Sequence, residues 1–236
     1  MRKIGILLVA LAAYLSFSHG SLPFLTSAPS LPSDVSLARP YMATDGARPV
    51  SWNSCAPIDY VVNLSGAPSF AKADLDAAMA KISAATGFRF VQVGQTSQIP
   101  QANWADSQRL GRSGWAPLII AFATPKQSNL FDAGADQLGN GGSAWVQGPR
   151  GKVDVSGEII INSATSYDPG FGAGTHLASL FLHELGHVVG LSHSPDPNSF
   201  MYPYLGVVSQ TITPLDAQHL AALSAGGCHP APAPGW

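Results

Sequence analysis

Three histidines and a glutamate crowd one short stretch of the chain: His183-Glu184-Leu185-Gly186-His187-Val188-Val189-Gly190-Leu191-Ser192-His193. On a helix, residues four apart share a face with Cβ atoms about 5–6 Å apart, so His183 and His187 can hold one ion together. Glu184 then points about 100° round the helix from His183, beside the ion rather than on it. Gly190 can take the positive φ that ends a helix and turns the chain back, which returns His193 as a third ligand. Three neutral imidazoles suit zinc, keep its full 2+ charge and leave a fourth position for water. Water held there has its pKa lowered to about 7, which supplies hydroxide near neutral pH. Glu184 is placed to take that proton during attack on a polarised peptide carbonyl and to hand it to the leaving amine.

Those side chains need a helix, a turn and a wall to hold them. Leu177, Phe181, Leu185 and Val188 make an apolar stripe, which predicts a helix over 175–189 with Thr175 as its cap. Gly186 inside that helix costs about 1 kcal/mol relative to alanine, so it implies tight packing against a neighbouring element. Upstream, residues 58–64 read as a first strand, 69–86 as a helix stopped by Gly87, and 88–93 as a second strand. The continuous apolar run over 117–123 predicts a central strand buried on both faces. A polar, glycine-rich loop is expected between Thr124 and Gly142, then a short edge strand over 143–147 and a closing strand over 157–162. Thr213-Pro214-Leu215-Asp216 opens a last helix that ends at Gly226.

The eleven-residue stretch resembles the zinc signature of the metzincin peptidases. Ser199-Phe200-Met201-Tyr202-Pro203 is similar to their Met-turn, and the eight residues from His193 to Met201 match the spacing of the matrixin branch. The resemblance implies an α+β zincin fold: a twisted, mixed five-stranded sheet with an active-site helix, the Met-turn and a C-terminal helix. It also implies an extended protein or peptide substrate, paired with an edge strand at Ser143, Ala144, Trp145 and Val146. Pro203 and Tyr204 would line the pocket beyond the cut bond, and Tyr202 is assigned to packing. One catalytic zinc is expected, and a second is not. Asp132, Asp136 and Asp154 are the candidates for calcium, with solvated loop carboxylates as the alternative.

The chain ends carry a separate message. Arg2 and Lys3 precede an apolar stretch from Ile4 to Phe17, which reads as a signal peptide over residues 1–20. About 14 apolar residues fall short of the ~20 needed to span a bilayer, so no stable membrane insertion is expected after cleavage. Residues 21–54, interrupted by prolines, read as a linker or short pro-segment. The catalytic domain is expected over 55–230, with a disordered tail over 231–236. Cys55 and Cys228 are the chain's two cysteines, and export predicts a disulfide between them. With 46% hydrophobic and 11% charged residues the chain is globular, and no run of Lys or Arg offers a nucleic-acid footprint.

These features point to a secreted, monomeric zinc endopeptidase. A non-catalytic zinc-binding interaction domain is the alternative, which Glu184 and the open coordination position argue against. A cell-wall or adhesive scaffold ranks behind both, since repeats and a sorting tail are missing.

Overall fold

Six consecutive apolar residues stay buried only if both faces of their strand are covered. Residues Leu118–Ala123 meet that condition, each of them buried at the centre of a five-stranded sheet. The protein is seen here as a computed structural model that describes residues 39–102, 114–132, 137–205 and 211–233, together with Ile6–Leu7. In chain order the elements are β1 (Ile6–Leu7), β2 (Thr44–Asp45), β3 (Arg48–Pro49), β4 (Ile58–Asn63), α1 (Ala71–Thr86) and β5 (Phe90–Gln95). There follow β6 (Leu118–Ala123), β7 (Gly139–Gly148), β8 (Gly151–Asn162), α2 (Leu177–Val189), β9 (Tyr204–Leu205) and α3 (Pro214–Ser224). The main sheet runs β5-β4-β6-β8-β7, parallel except for the antiparallel edge strand β7. Both α1 and α2 share one apolar core with the sheet, which includes Leu75, Ile82, Ile120, Phe122, Ile159, Phe181 and Leu185. The α+β architecture expected from the sequence is the one found. No helix among the described residues is long and apolar enough to cross a membrane.

Three stretches differ from the sequence reading. Ordered structure starts before Cys55. Residues 39–54 pack on the domain, with Val50 and Trp52 buried and the Trp52 indole N–H donating to Val188 O at 2.7 Å. Prolines rule out a helix there, but they do not prevent an extended strap. The edge strand is ten residues long and takes in Gly139, Gly141 and Gly142, which the sequence reading leaves in a loop. Its partner β8 likewise runs to twelve residues. Lastly, α2 starts at Leu177 without a side-chain cap. Its leading amides are met by loop carbonyls instead, Leu177 N–H by Asp168 O and Ala178 N–H by Gly170 O.

Cys55 and Cys228 are joined, as expected, across 173 residues. Cross-linking so long a loop contributes about 4–5 kcal/mol in the chain-entropy account. The strap also covers Asp154, which is 4% exposed and whose backbone N–H donates to Ser51 O at 2.9 Å. Burial pushes its carboxyl from 3.8 up to about 7, against a hydrogen bond from Ser143 that holds it down. A proton held more tightly in the fold than in the unfolded chain stabilises below about pH 4, and that contribution is lost as the pH rises through 7. Asp154→Asn is therefore expected to raise Tm by roughly 5 °C at pH 8 and to leave it unchanged at pH 4, read from thermal melts at the two pH values.

Candidate metal centre

All thirteen residues of α2 are buried, including His183, Glu184 and His187. A helix covered on every side is apolar nearly all round, and its few polar groups must find partners. It ends at Gly190, whose φ of 117° suits glycine alone, and a Cβ there would lie 2.9 Å from Val50 O. The returning chain is then gripped by the strap. Met42 N–H donates to Gly190 O at 2.9 Å, Ser192 N–H donates to Pro40 O at 2.9 Å, and Tyr41 bridges Leu191. The Tyr41 ring meets His219 of α3 edge-on, with centroids 5.7 Å apart. His193 leaves this clamped turn to face the helix.

Two hydrogen bonds fix the state of the rings. His183 Nδ1 lies 2.8 Å from Phe200 O, and His187 Nδ1 lies 2.8 Å from Leu191 O. A carbonyl only accepts, so both Nδ1 atoms carry the proton and both Nε2 atoms present lone pairs. Yet His187 Nε2 lies 3.1 Å from His183 Nε2 and 3.3 Å from His193 Nε2. Lone pairs brought this close repel unless a cation lies between them. Tetrahedral ligands at the usual zinc–nitrogen distance of about 2.0–2.1 Å would sit about 3.3 Å apart, so the donor set fits zinc. Burial pulls all three imidazoles down, His187 to about 4, with mutual repulsion adding to the effect on His183 and His193. They are neutral ligands at physiological pH. Among the described residues, no other group of three His, Cys, Asp or Glu side chains converges in this way.

Beside them, Glu184 is 1% exposed and its Oε2 is buried without a hydrogen-bond partner. Burial pushes its carboxyl well above the usual carboxylate range. The expected Met-turn lies against the same helix. A Cβ on Gly186 would overlap Met201 Sδ and come within 2.8 Å of Phe200 Cε2, so the tight neighbour of that glycine is the Met-turn itself. The turn is tied to α3: Met201 N–H donates to Ser199 Oγ, and Ser199 O–H donates to Asp216, which closes a capping box with Thr213.

The remaining candidate residues lie on β7, on β9 and elsewhere in the fold. Ser143, Ala144 and Val146 are half-buried on β7, and Trp145 is 45% exposed with Lys152 Nζ 4.0 Å from its ring centroid. It is Gly139 and Gly141, however, that meet the metal helix. A sequence signal for them existed, because glycines at alternate strand positions mark one face left bare for a close neighbour. Pro203 and Tyr202 are buried, and Tyr204 is half-buried in β9, which pairs antiparallel with β1. Of the calcium candidates, Asp154 is enclosed under the strap, Asp132 is exposed, and Asp136 lies outside the described residues. His176 starts α2 with Nδ1 2.8 Å from Pro169 O, and His229 contacts Arg48.

The family model for matrixins matches residues 67–225, a span that holds four of the five strands of the main sheet, all three helices and the histidine cluster. The chain belongs to the matrixin family. Over 93 residues it is 34% identical to macrophage metalloelastase of Rattus norvegicus, covering 38% of this chain and 18% of the relative. Over 95 residues it is 32% identical to matrilysin of Felis catus, covering 39% and 34% respectively. Matrix metalloproteinase-20 of Homo sapiens is 26% identical over 125 residues, covering 48% and 23%. The match thus spans about a third or less of each relative's length. Family and donor set together point to zinc in this matrixin.

The strap's two backbone hydrogen bonds on either side of Leu191, each worth about 0.5–1.5 kcal/mol, hold the turn that presents His193. A chain beginning at Ala43 is expected to bind zinc about tenfold more weakly than one beginning at Arg39, measured by competition with a chelator. Equal affinities would show that the turn holds itself.

Proposed function

We propose that this matrixin is a secreted zinc-dependent endopeptidase that hydrolyses internal peptide bonds of extracellular proteins. The observation that carries the reading is the convergence of three histidine Nε2 atoms, two of them fixed as lone-pair donors, beside a buried carboxyl with an unpaired oxygen. A site built only to hold metal has no use for that oxygen. Zinc, when bound, supplies a water of lowered pKa and an electrophile for the carbonyl oxygen. The protein's part is to aim the groups around it. His183, His187 and His193 hold the ion, with the first two fixed in ring orientation by Phe200 O and Leu191 O. Glu184 receives the proton of the attacking water at its free oxygen and delivers it to the departing amine. Its raised proton affinity falls when a 2+ charge stands beside it, which sets the carboxylate in its basic form before attack.

The substrate lies extended along β7, whose outer edge has no strand partner among the described residues, and takes backbone hydrogen bonds from Ser143 to Val146. Pro203 and Tyr204 shape the far wall of the cleft. Secretion is supported by the apolar N-terminal stretch and by the disulfide, which persists in an oxidising compartment. No partner protein is needed, and the working unit is one chain.

Denatured casein or gelatin should be cleaved by the purified protein, and a chelator should stop the cleavage. Glu184→Ala should lose about 10²–10⁴-fold in kcat while retaining one zinc per chain, because its role is proton transfer and not ligation. His183→Ala should lose zinc and activity together. A metal-free or fully active Glu184→Ala protein would remove the proposed role of the carboxylate, and a zinc-loaded wild type without activity would favour a binding domain.

A further inference from the structure

Strand β7 approaches α2 with two bare positions. Its side-chain directions alternate, and Asn140 turns to the other face of the sheet, where its amide donates to Leu130 O at 3.2 Å. Gly139 and Gly141 therefore face the metal helix, and both face the same residue. A Cβ at Gly139 would lie 2.8 Å from Glu184 Oε1 and 3.2 Å from Cδ, with Ile160 O also at 3.2 Å. A Cβ at Gly141 would lie 2.7 Å from Glu184 O and 3.0 Å from both its Cβ and Oε2. Neither glycine has a positive φ, so the backbone there asks for no special residue. Glycine inside a strand sacrifices chain entropy and side-chain packing, and the compensating gain must be space.

We infer that Gly139 and Gly141 are positioning residues for Glu184, acting at two different levels. Gly141 meets the main chain of the helix and sets how closely α2 lies on the sheet, and with it the height of the histidines. On the helix, Gly139 meets the far end of the Glu184 side chain and none of its main chain, and it leaves the recess into which the carboxylate turns. This rests on the reading of Glu184 as the proton carrier, but the two stand or fall separately. The second glycine acts on the metal through the helix main chain as well as on Oε2, the first on the carboxylate without touching the helix main chain.

The test compares alanine at each position in the full chain. Gly139→Ala is expected to lower kcat at least tenfold with KM, zinc content and the visible spectrum of the cobalt-substituted protein unchanged. Gly141→Ala is expected to shift that spectrum and to weaken zinc binding at least tenfold. Thermal melts give a readout independent of activity. Gly139→Ala should cost at least twice as much Tm in the wild type as in a Glu184→Ala background, where the carboxylate it crowds is gone. An equal Tm loss in both backgrounds, or full kcat in Gly139→Ala, overturns the inference. Loss of kcat in Glu184→Ala alongside full kcat in Gly139→Ala would leave the catalytic reading intact and remove only this one. Conversely, an active Glu184→Ala protein with the background-dependent Tm loss would keep the steric placement and remove the catalytic reading.

Discussion

A helix with no exposed face cannot keep ionised side chains unless an opposite charge joins them. In α2 that constraint falls on three residues at once, His183, Glu184 and His187, all within the buried thirteen. Desolvation moves the carboxyl up and the imidazoles down, so every group is driven towards its neutral form. A single dication resolves the whole set. The three imidazoles would hold it, and its charge beside the carboxyl would favour the ionised form that the proposed base requires. The low charge count of the chain fits the same logic, since a buried polar site is disturbed least when few other charges lie near it.

Geometry at the site is held from three sides. The strap over residues 40–42 grips the turn behind His193, while the Met-turn fills the space opened by Gly186. The edge strand presses from the third side, where its glycines admit the helix within contact of the main chain. Each support is tied to something distant in sequence. Tyr41 reaches α3, Ser199 reaches Asp216, and Trp52 holds the last turn of α2 through Val188 O. The disulfide near the start and end of the domain closes this arrangement. Ligand positions are therefore set by tertiary contacts on rigid elements, which is what keeps a catalytic constellation within tolerance.

Much of this was legible in the sequence, for a specific reason. Ligand spacing and apolar periodicity are local properties, and they located the metal helix, α1, α3 and the central strand to within a residue or two. What escaped depends on contacts between distant segments. Glycine and proline read as breakers, whereas residues 139 to 142 form four of the ten residues of an edge strand, with Glu184 occupying the space beside Gly139 and Gly141. Residues 39–54 looked like a linker because their order comes from docking on Gly190, Ser192 and Val188, and no periodicity announces that. The expected Thr175 cap failed for the same cause, since carbonyls of a folded-back loop took its place.

On this reading three imidazole nitrogens share one zinc and leave a position for water. X-ray absorption at the zinc edge of the purified protein measures this most directly. One zinc per chain is expected, with three imidazole ligands and one further oxygen at about 2.0–2.2 Å. A fourth ligand from the protein, or fewer than three imidazoles on the ion, would contradict it.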